Sequence, residues 1–330
     1  MNIKEWLNKA PSIHKAMPVL SFPGASLINV SVGELVKNGE LQAQCMKAVA
    51  DKYNLLASVS LMDLSVEAEA FGSPIRLCDD EVPTVTSAIV FEGDEIGALK
   101  APTVGAARTG EYINAIKKAK ELISDIPVFA GSIGPFSLAG RLMDMSEIMV
   151  MCYTEPELVH SVLRVVTDFL IQYNNAFKTA GANGIVMAEP AAGLLSPDLI
   201  SEFSSPYVKE IISSIQTDEF GVIYHNCGNI IPLIDSILDT GAAAYHFGNA
   251  VDLAEVLKLI PEDTVVMGNV DPAGQFKNGT PETIKAATLD VLKKCSIYPN
   301  FVTSSGCDIP PAAPHENIEA FFETVTEFYK

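Results

Sequence analysis

The stretch Val222-Ile-Tyr-His-Asn-Cys-Gly-Asn229 decides how the rest of the chain reads. A short apolar run meets a histidine, then a cysteine two residues on, then a glycine that marks a turn. That is the pattern of a buried strand delivering polar side chains at its C-terminal tip. Alternate residues of a strand face the same way, so His225 and Cys227 can aim at one point. The same grammar returns in Phe301-Val-Thr-Ser-Ser-Gly-Cys-Asp-Ile-Pro310, which carries Cys307. Two cysteines and one histidine from two strand tips make an open zinc site, with a fourth position left for substrate. A buried histidine beside a buried cysteine would explain the first stretch alone, but the match with Cys307 favours zinc. The wide gap between Cys227 and Cys307 is no zinc-finger spacing. It is expected when ligands come from separate barrel strands.

Outward from these stretches, short apolar runs alternate with longer segments of helical period. The predicted strands are Met17–Phe22, Leu55–Met62, Ile126–Ile133, Gly184–Ala188, Gly221–Tyr224, Ala242–Phe247, Thr264–Met267 and Asn300–Thr303. Amphipathic segments such as Glu155–Ala180 and Pro197–Gln216 separate them. Eight strands divided mostly by helices predict an α/β fold of the (β/α)8 TIM-barrel type. A doubly wound sheet is the runner-up, but no Gly-x-Gly-x-x-Gly opens a first β-α turn. Val82–Phe91, followed by Glu-Gly-Asp-Glu, predicts a small β-hairpin insertion. No linker or low-complexity tract divides the chain, so residues 1–330 are expected to form a single domain.

In a barrel all strand tips gather at one face, where active sites form. The expected tips carry Asp63, Glu189, His225 with Cys227, His246, Asn269 with Asp271, and Cys307 with Asp308. Glu189 is a candidate fourth, displaceable ligand or a nearby base, and equally a helix-cap carboxylate. Asp63 could bind a cationic or hydrogen-bond-donating ligand, or cap the helix after it. His246 has no soft partner in its own segment and reads as a hydrogen-bonded core histidine. His14, His160 and His315 read as surface or capping residues. Asp271, before Pro272, is at least as well explained as a turn residue.

Composition narrows the class. Apolar residues make up 48% of the 330, enough for a core that needs no staple. The formal charge of −19, with no basic patch, argues against nucleic acid and anionic membrane as partners. No signal peptide opens the chain and no apolar run is long enough to span a bilayer, so a cytoplasmic location is expected. In that compartment six cysteines are thiols or ligands rather than disulfides. Cys45, Cys78, Cys152 and Cys295 read as small buried hydrophobes. The arginines are only Arg76, Arg108, Arg141 and Arg164, which is few for a chain that must clamp carboxylates.

Taken together, several segments resemble the uroporphyrinogen decarboxylase superfamily. They include Asp63 with Ala70-Phe-Gly72, Gly134-Pro-Phe-Ser-Leu-Ala-Gly140, Ala192-Gly-Leu-Leu-Ser-Pro197, Gly268-Asn-Val-Asp-Pro272 and Pro314-His-Glu-Asn-Ile318. The resemblance implies a (β/α)8 barrel. The decarboxylase branch has an arginine-rich N-terminal loop for its substrate's carboxylates. Here that region reads Pro18-Val-Leu-Ser-Phe-Pro-Gly-Ala-Ser-Leu27, without arginine. The His225-Asn-Cys-Gly228 and Gly306-Cys-Asp-Ile-Pro310 motifs are similar to those of the corrinoid-dependent methyltransferase branch, which includes the methylcobalamin:coenzyme M methyltransferases. That likeness implies His225, Cys227 and Cys307 as zinc ligands. It also implies a corrinoid such as methylcobalamin as co-substrate and a small-molecule methyl donor or acceptor. The chain has no Asp-x-His-x-x-Gly cobalamin motif, so the corrinoid is expected on a separate carrier protein. The rival readings are uroporphyrinogen decarboxylation, with Asp63 on the pyrrole nitrogens, and a non-catalytic zinc-binding barrel.

Overall fold

In chain order the strands of the computed structural model are β1 (Ser58–Val59), β2 (Ile75–Arg76), β3 (Thr84–Val85), β4 (Val128–Ile133), β5 (Gly184–Ala188), β6 (Gly221–Asn226), β7 (Ala244–Phe247), β8 (Val265–Val270) and β9 (Phe301–Ser305). The structure describes residues 1–90 and 97–330. β1 and β4 through β9 form one sheet in that order, with every neighbouring pair parallel. Helices cross between them, which is the (β/α)8 pattern. β5 keeps the bounds that its apolar run predicts. β6, β8 and β9 run two or three residues further toward their C-terminal tips than the sequence indicated.

The first predicted strand, Met17–Phe22, differs. Its segment is extended but makes no regular ladder. Leu56 N–H donates to Ala16 O at 2.9 Å, Met17 N–H to Thr303 O at 2.9 Å, and Val19 N–H to Ser305 Oγ at 3.0 Å. It therefore bonds to both edges of the seven-stranded sheet and takes the eighth place. The physical reason for its irregularity is Pro18, which has no N–H to give a ladder. Two other expectations also shift. The segment predicted as Pro197–Gln216 is two helices, Pro197–Phe203 and Ser205–Ile215, because Pro206 cannot donate back into the first. The hairpin is real, but β3 pairs with β2 upstream rather than folding within Val82–Phe91. Phe91 and the Glu-Gly-Asp-Glu that follows lie outside the described residues.

The barrel interior is layered. Val186, Ile223, Ala244 and Val265 stand in register across β5 to β8 and form an apolar layer. The next layer toward the strand tips is Ala188, His225, His246, Met267 and Val302. Polarity thus enters the interior only near the C-terminal rim. The opposite mouth is closed by the helix Ile3–Ile13, whose Ile3, Leu7 and Ala10 are buried in the same interior cluster. Asn2 caps that helix by accepting from Glu5 N–H. The long helix Pro156–Thr179 packs an apolar stripe of Val162, Val166, Phe169 and Tyr173 outside the sheet. Among the described residues no helix is long and apolar enough to cross a membrane.

Candidate metal centre

His225 Nε2 lies 2.9 Å from Cys227 Sγ and 3.5 Å from Cys307 Sγ. All three ligand atoms lie within 4.8 Å of one another. His225 is on β6, Cys227 just past its tip, and Cys307 just past the tip of β9, so the fold brings together the three residues picked out by the motifs. Gly228 follows Cys227 with φ of +88°, a conformation that glycine adopts without strain. Gly193 lets the chain after β5 touch the Cys227 carbonyl, since a Cβ there would stand 1.7 Å from that oxygen. Both glycines hold the cysteine loop down against the barrel mouth.

The donor set fits zinc. Tetrahedral zinc with Zn–S of ~2.3 Å and Zn–N of ~2.0 Å sets sulfur and nitrogen ligands about 3.5 Å apart. Cys307 already stands at that span from His225, and Cys227 stands only ~0.6 Å inside it. The hydrogen bond that Cys307 accepts from Cys227, with His225 beside it, lowers the Cys307 thiol pKa against its burial. The same bond and burial raise that of Cys227. To bind as thiolates, both cysteines would release their protons on taking up a cation.

Behind His225 stands a row of hydrogen-bonded groups, which includes His246, read from the sequence as a core histidine, and Ser304, which the sequence did not single out. His225 Nδ1 lies 2.7 Å from His246 Nδ1, and His246 Nε2 lies 2.8 Å from Ser304 Oγ. Ser304 Oγ–H donates in turn to Met17 O at 2.7 Å. His246 is buried as expected of a core histidine, and burial and His225 hold its pKa well below the ordinary value. The signal that could have found it is register: His225 and His246 are cross-strand partners on parallel neighbours.

Asp63 and Glu189 are not brought into the three-ligand group. Asp63 is buried with all its oxygens engaged. Oδ2 accepts from Arg108 Nη1 at 2.5 Å and Tyr112 Oη–H at 2.8 Å, while Oδ1 accepts from Ser65 N–H at 3.0 Å and its hydroxyl at 2.5 Å. Arg108 reaches on to Glu69 at 2.5 Å. Glu189 leaves β5 by alternation on the face away from the barrel axis. Its carboxylate accepts from Ser137 N–H at 2.5 Å and Phe136 N–H at 3.3 Å, at the start of the helix Pro135–Met143. That is the capping geometry weighed for it. Burial raises its pKa to about 7, against those hydrogen bonds. Glu67 is raised to about 7 by the same cause.

A family profile described as Uroporphyrinogen decarboxylase (URO-D) matches residues 7–328. The chain belongs to this family. Methylcobamide:CoM methyltransferase MtbA of Methanosarcina acetivorans is 27% identical over 270 residues, covering 81% of this chain and 78% of that protein. Uroporphyrinogen decarboxylase of Methylobacillus flagellatus is 26% identical over 305 residues, covering 88% of this chain and 84% of that protein. A solved methyltransferase from Methanosarcina mazei superposes with a TM-score of 0.88 at 25% identity, over 100% of both chains. Relatives with two different chemistries thus stand at similar identity, and the site must separate them.

In this URO-D family barrel the arginines are mostly committed. Arg76 and Arg164 pair with Glu81 and Glu210 on the surface, and Arg108 is locked to Asp63 and Glu69. Arg141 makes no ion pair among the described residues. It lines a cleft of about 350 Å³ with Ser137, Pro190 and Ala191, beyond the tips of β4 and β5. Asp271 accepts from Ala273 and Gly274 N–H and so caps its own turn. His14 caps the first helix, while His160 and His315 bond to Tyr207 and Tyr53 far from the centre in sequence.

Proposed function

We propose that the chain is a zinc-dependent methyltransferase that exchanges a methyl group between a corrinoid and a small thiol or other acceptor. The observation that carries this reading is the convergence of His225 Nε2 with the sulfurs of Cys227 and Cys307. Bound there, zinc supplies a Lewis acid that keeps a substrate thiol in its nucleophilic thiolate form near neutral pH. Cys227 and Cys307 as thiolates with neutral His225 would balance the charge of the ion they hold. A methylcorrinoid would supply the methyl group and keep its bonding pair, while His225, Cys227 and Cys307 would hold the ion that positions the accepting thiolate. The reverse direction, from a methylated donor to the corrinoid, uses the same residues.

The corrinoid arrives on a separate carrier protein, and the barrel mouth is both active site and docking face. The whole chain acts as one barrel domain in the cytoplasm, where its cysteines form no disulfide and serve as thiols or ligands. Arg141, which makes no ion pair among the described residues, gives the cleft a cation beside Asp144, which suits a small monoanionic acceptor. It does not suit uroporphyrinogen with its many carboxylates, the main rival. In that reading Asp63 would need a free oxygen, yet its four hydrogen bonds hold both. A purely structural zinc site would need a fourth protein ligand, and Glu189 is occupied as a helix cap.

The test is turnover with methylcobalamin and a panel of small thiols, alongside uroporphyrinogen. The expected result is zinc-dependent methyl transfer to at least one thiol and no decarboxylation. Coproporphyrinogen formed at ordinary enzymatic rates, ~1 s⁻¹ or more, would reject the assignment.

A further inference from the structure

A backbone carbonyl can only accept a hydrogen bond, and that fact fixes the protons of a chain of side chains behind the metal centre. Ser304 Oγ lies 2.7 Å from Met17 O. Two oxygens at that distance repel unless a proton lies between them, so the single Ser304 hydroxyl proton goes to Met17 O. Toward His246 Nε2, 2.8 Å away, Ser304 can then only accept. His246 Nε2 must carry the proton. His246 is buried, and no carboxylate is among its hydrogen-bond partners, so the ring is neutral and holds only that proton. Its Nδ1 is a bare lone pair, which faces His225 Nδ1 at 2.7 Å. The proton in that contact belongs to His225 Nδ1. What remains is His225 Nε2, turned toward Cys227 and Cys307.

We propose that Met17 O, Ser304 and His246 form a positioning relay that locks His225 into its Nδ1–H form and so presents Nε2 as a lone-pair donor to a metal ion. The proposal deepens the zinc reading above and rests on it for the identity of the ion. Histidine ligands commonly give their other N–H to a carboxylate, a carbonyl or water. Here a second histidine takes that place and passes the constraint from β6 through β7 to β9. The relay gathers β6, β7 and β9, and it ends on the extended segment that closes the barrel between β9 and β1. The irregular first segment thus does more than fill the eighth place. Its Met17 carbonyl sets the polarity of the whole chain of hydrogen bonds.

His246 and Ser304 are positioning residues, since neither is among the ligand atoms. The decisive readout is the site of protonation on each ring in metal-free full-length protein with ¹⁵N-labelled histidine. With only five histidines, loss of one signal in His225→Gln and in His246→Gln assigns both rings. The relay requires the His246 proton on Nε2 and a proton on His225 Nδ1. A His246 protonated on Nδ1 would overturn it. The second readout is zinc affinity by chelator competition. Ser304→Ala removes the acceptor and should weaken zinc about 10-fold or more, within the range of outer-shell changes. Ser304→Thr keeps a hydroxyl and should restore most of that loss. An alanine variant that folds and binds zinc as tightly as wild type would refute the relay, and if it fails to fold the ring protonation still decides. If wild-type protein binds no zinc, the functional assignment fails, while the ring protonation still tests the relay by itself.

Discussion

Two polar clusters sit at the same end of this barrel, and they differ in how their charges are satisfied. Both carboxylate oxygens of Asp63 are answered from within the chain, by Arg108, Tyr112 and Ser65. Around His225, two sulfurs and a ring nitrogen converge with no arginine or lysine against them. The first cluster is an ion-paired network that ties the segment just after β1 to the start of the helix Thr109–Leu122. On the proposed reading the second is an open donor set that a cation would complete. A closed ion-pair network and an open donor set look alike in a sequence, as acids, histidines and cysteines at strand tips. Their hydrogen-bond partners tell them apart.

The contrast breaks most cleanly with one substitution on each side. Cys307→Ala should abolish zinc binding and methyl transfer together, while the metal-free protein unfolds close to where metal-free wild type does. Asp63→Asn should do the reverse. It leaves Arg108 buried with its main counter-charge gone, at a cost of about 3 kcal/mol in stability, with zinc stoichiometry kept at temperatures where the variant is folded. Zinc analysis and urea unfolding of the two variants check this pairing. An Asp63→Asn protein of wild-type stability would mean that the closed network does not anchor the fold.

Glu189 sharpens the comparison because it stands between the two clusters in kind, a buried carboxylate that accepts from N–H groups and faces no ion-pair partner among the described residues. Its pKa in the folded chain is raised to about 7, above the ordinary carboxylate value. The folded state therefore favours the protonated form. Its contribution is fully present below about pH 4.3 and is lost as pH rises through about 7. Glu189→Gln should keep zinc and flatten the fall in stability between pH 5 and pH 8 by on the order of 1–3 kcal/mol. Part of the slope should remain, because Glu67 is raised in the same way. Equal slopes for variant and wild type would show that the carboxylate is not held as described, and loss of zinc would return Glu189 to the ligand set.

Much of this was legible in the sequence, for a definite reason. Strand alternation and a following glycine are local, so the apolar run Gly221–Tyr224 was enough to predict that His225 and Cys227 face one way. β5 has its predicted bounds because glycine and a glutamate–proline pair punctuate it at both ends. What was not legible depends on partners far apart in the chain. Arg108 lies 45 residues from Asp63, and no local pattern links them. His246 and Ser304 gain their role only when β6, β7 and β9 are laid side by side. The hairpin register and the irregular Met17–Phe22 segment missed for a related cause. Pairing across a sheet is decided by what stands on both sides, and Pro18 leaves the second side one donor short.

The central claim is that His225, Cys227 and Cys307 form the ligand set of a catalytic zinc, and zinc-edge X-ray absorption on the purified wild-type protein tests it most directly. The predicted spectrum has two sulfur neighbours at ~2.3 Å and nitrogen or oxygen neighbours at ~2.0–2.2 Å, with a third sulfur appearing when a substrate thiol is added. A spectrum with no sulfur neighbours, or one that stays unchanged at saturating substrate thiol, would contradict it.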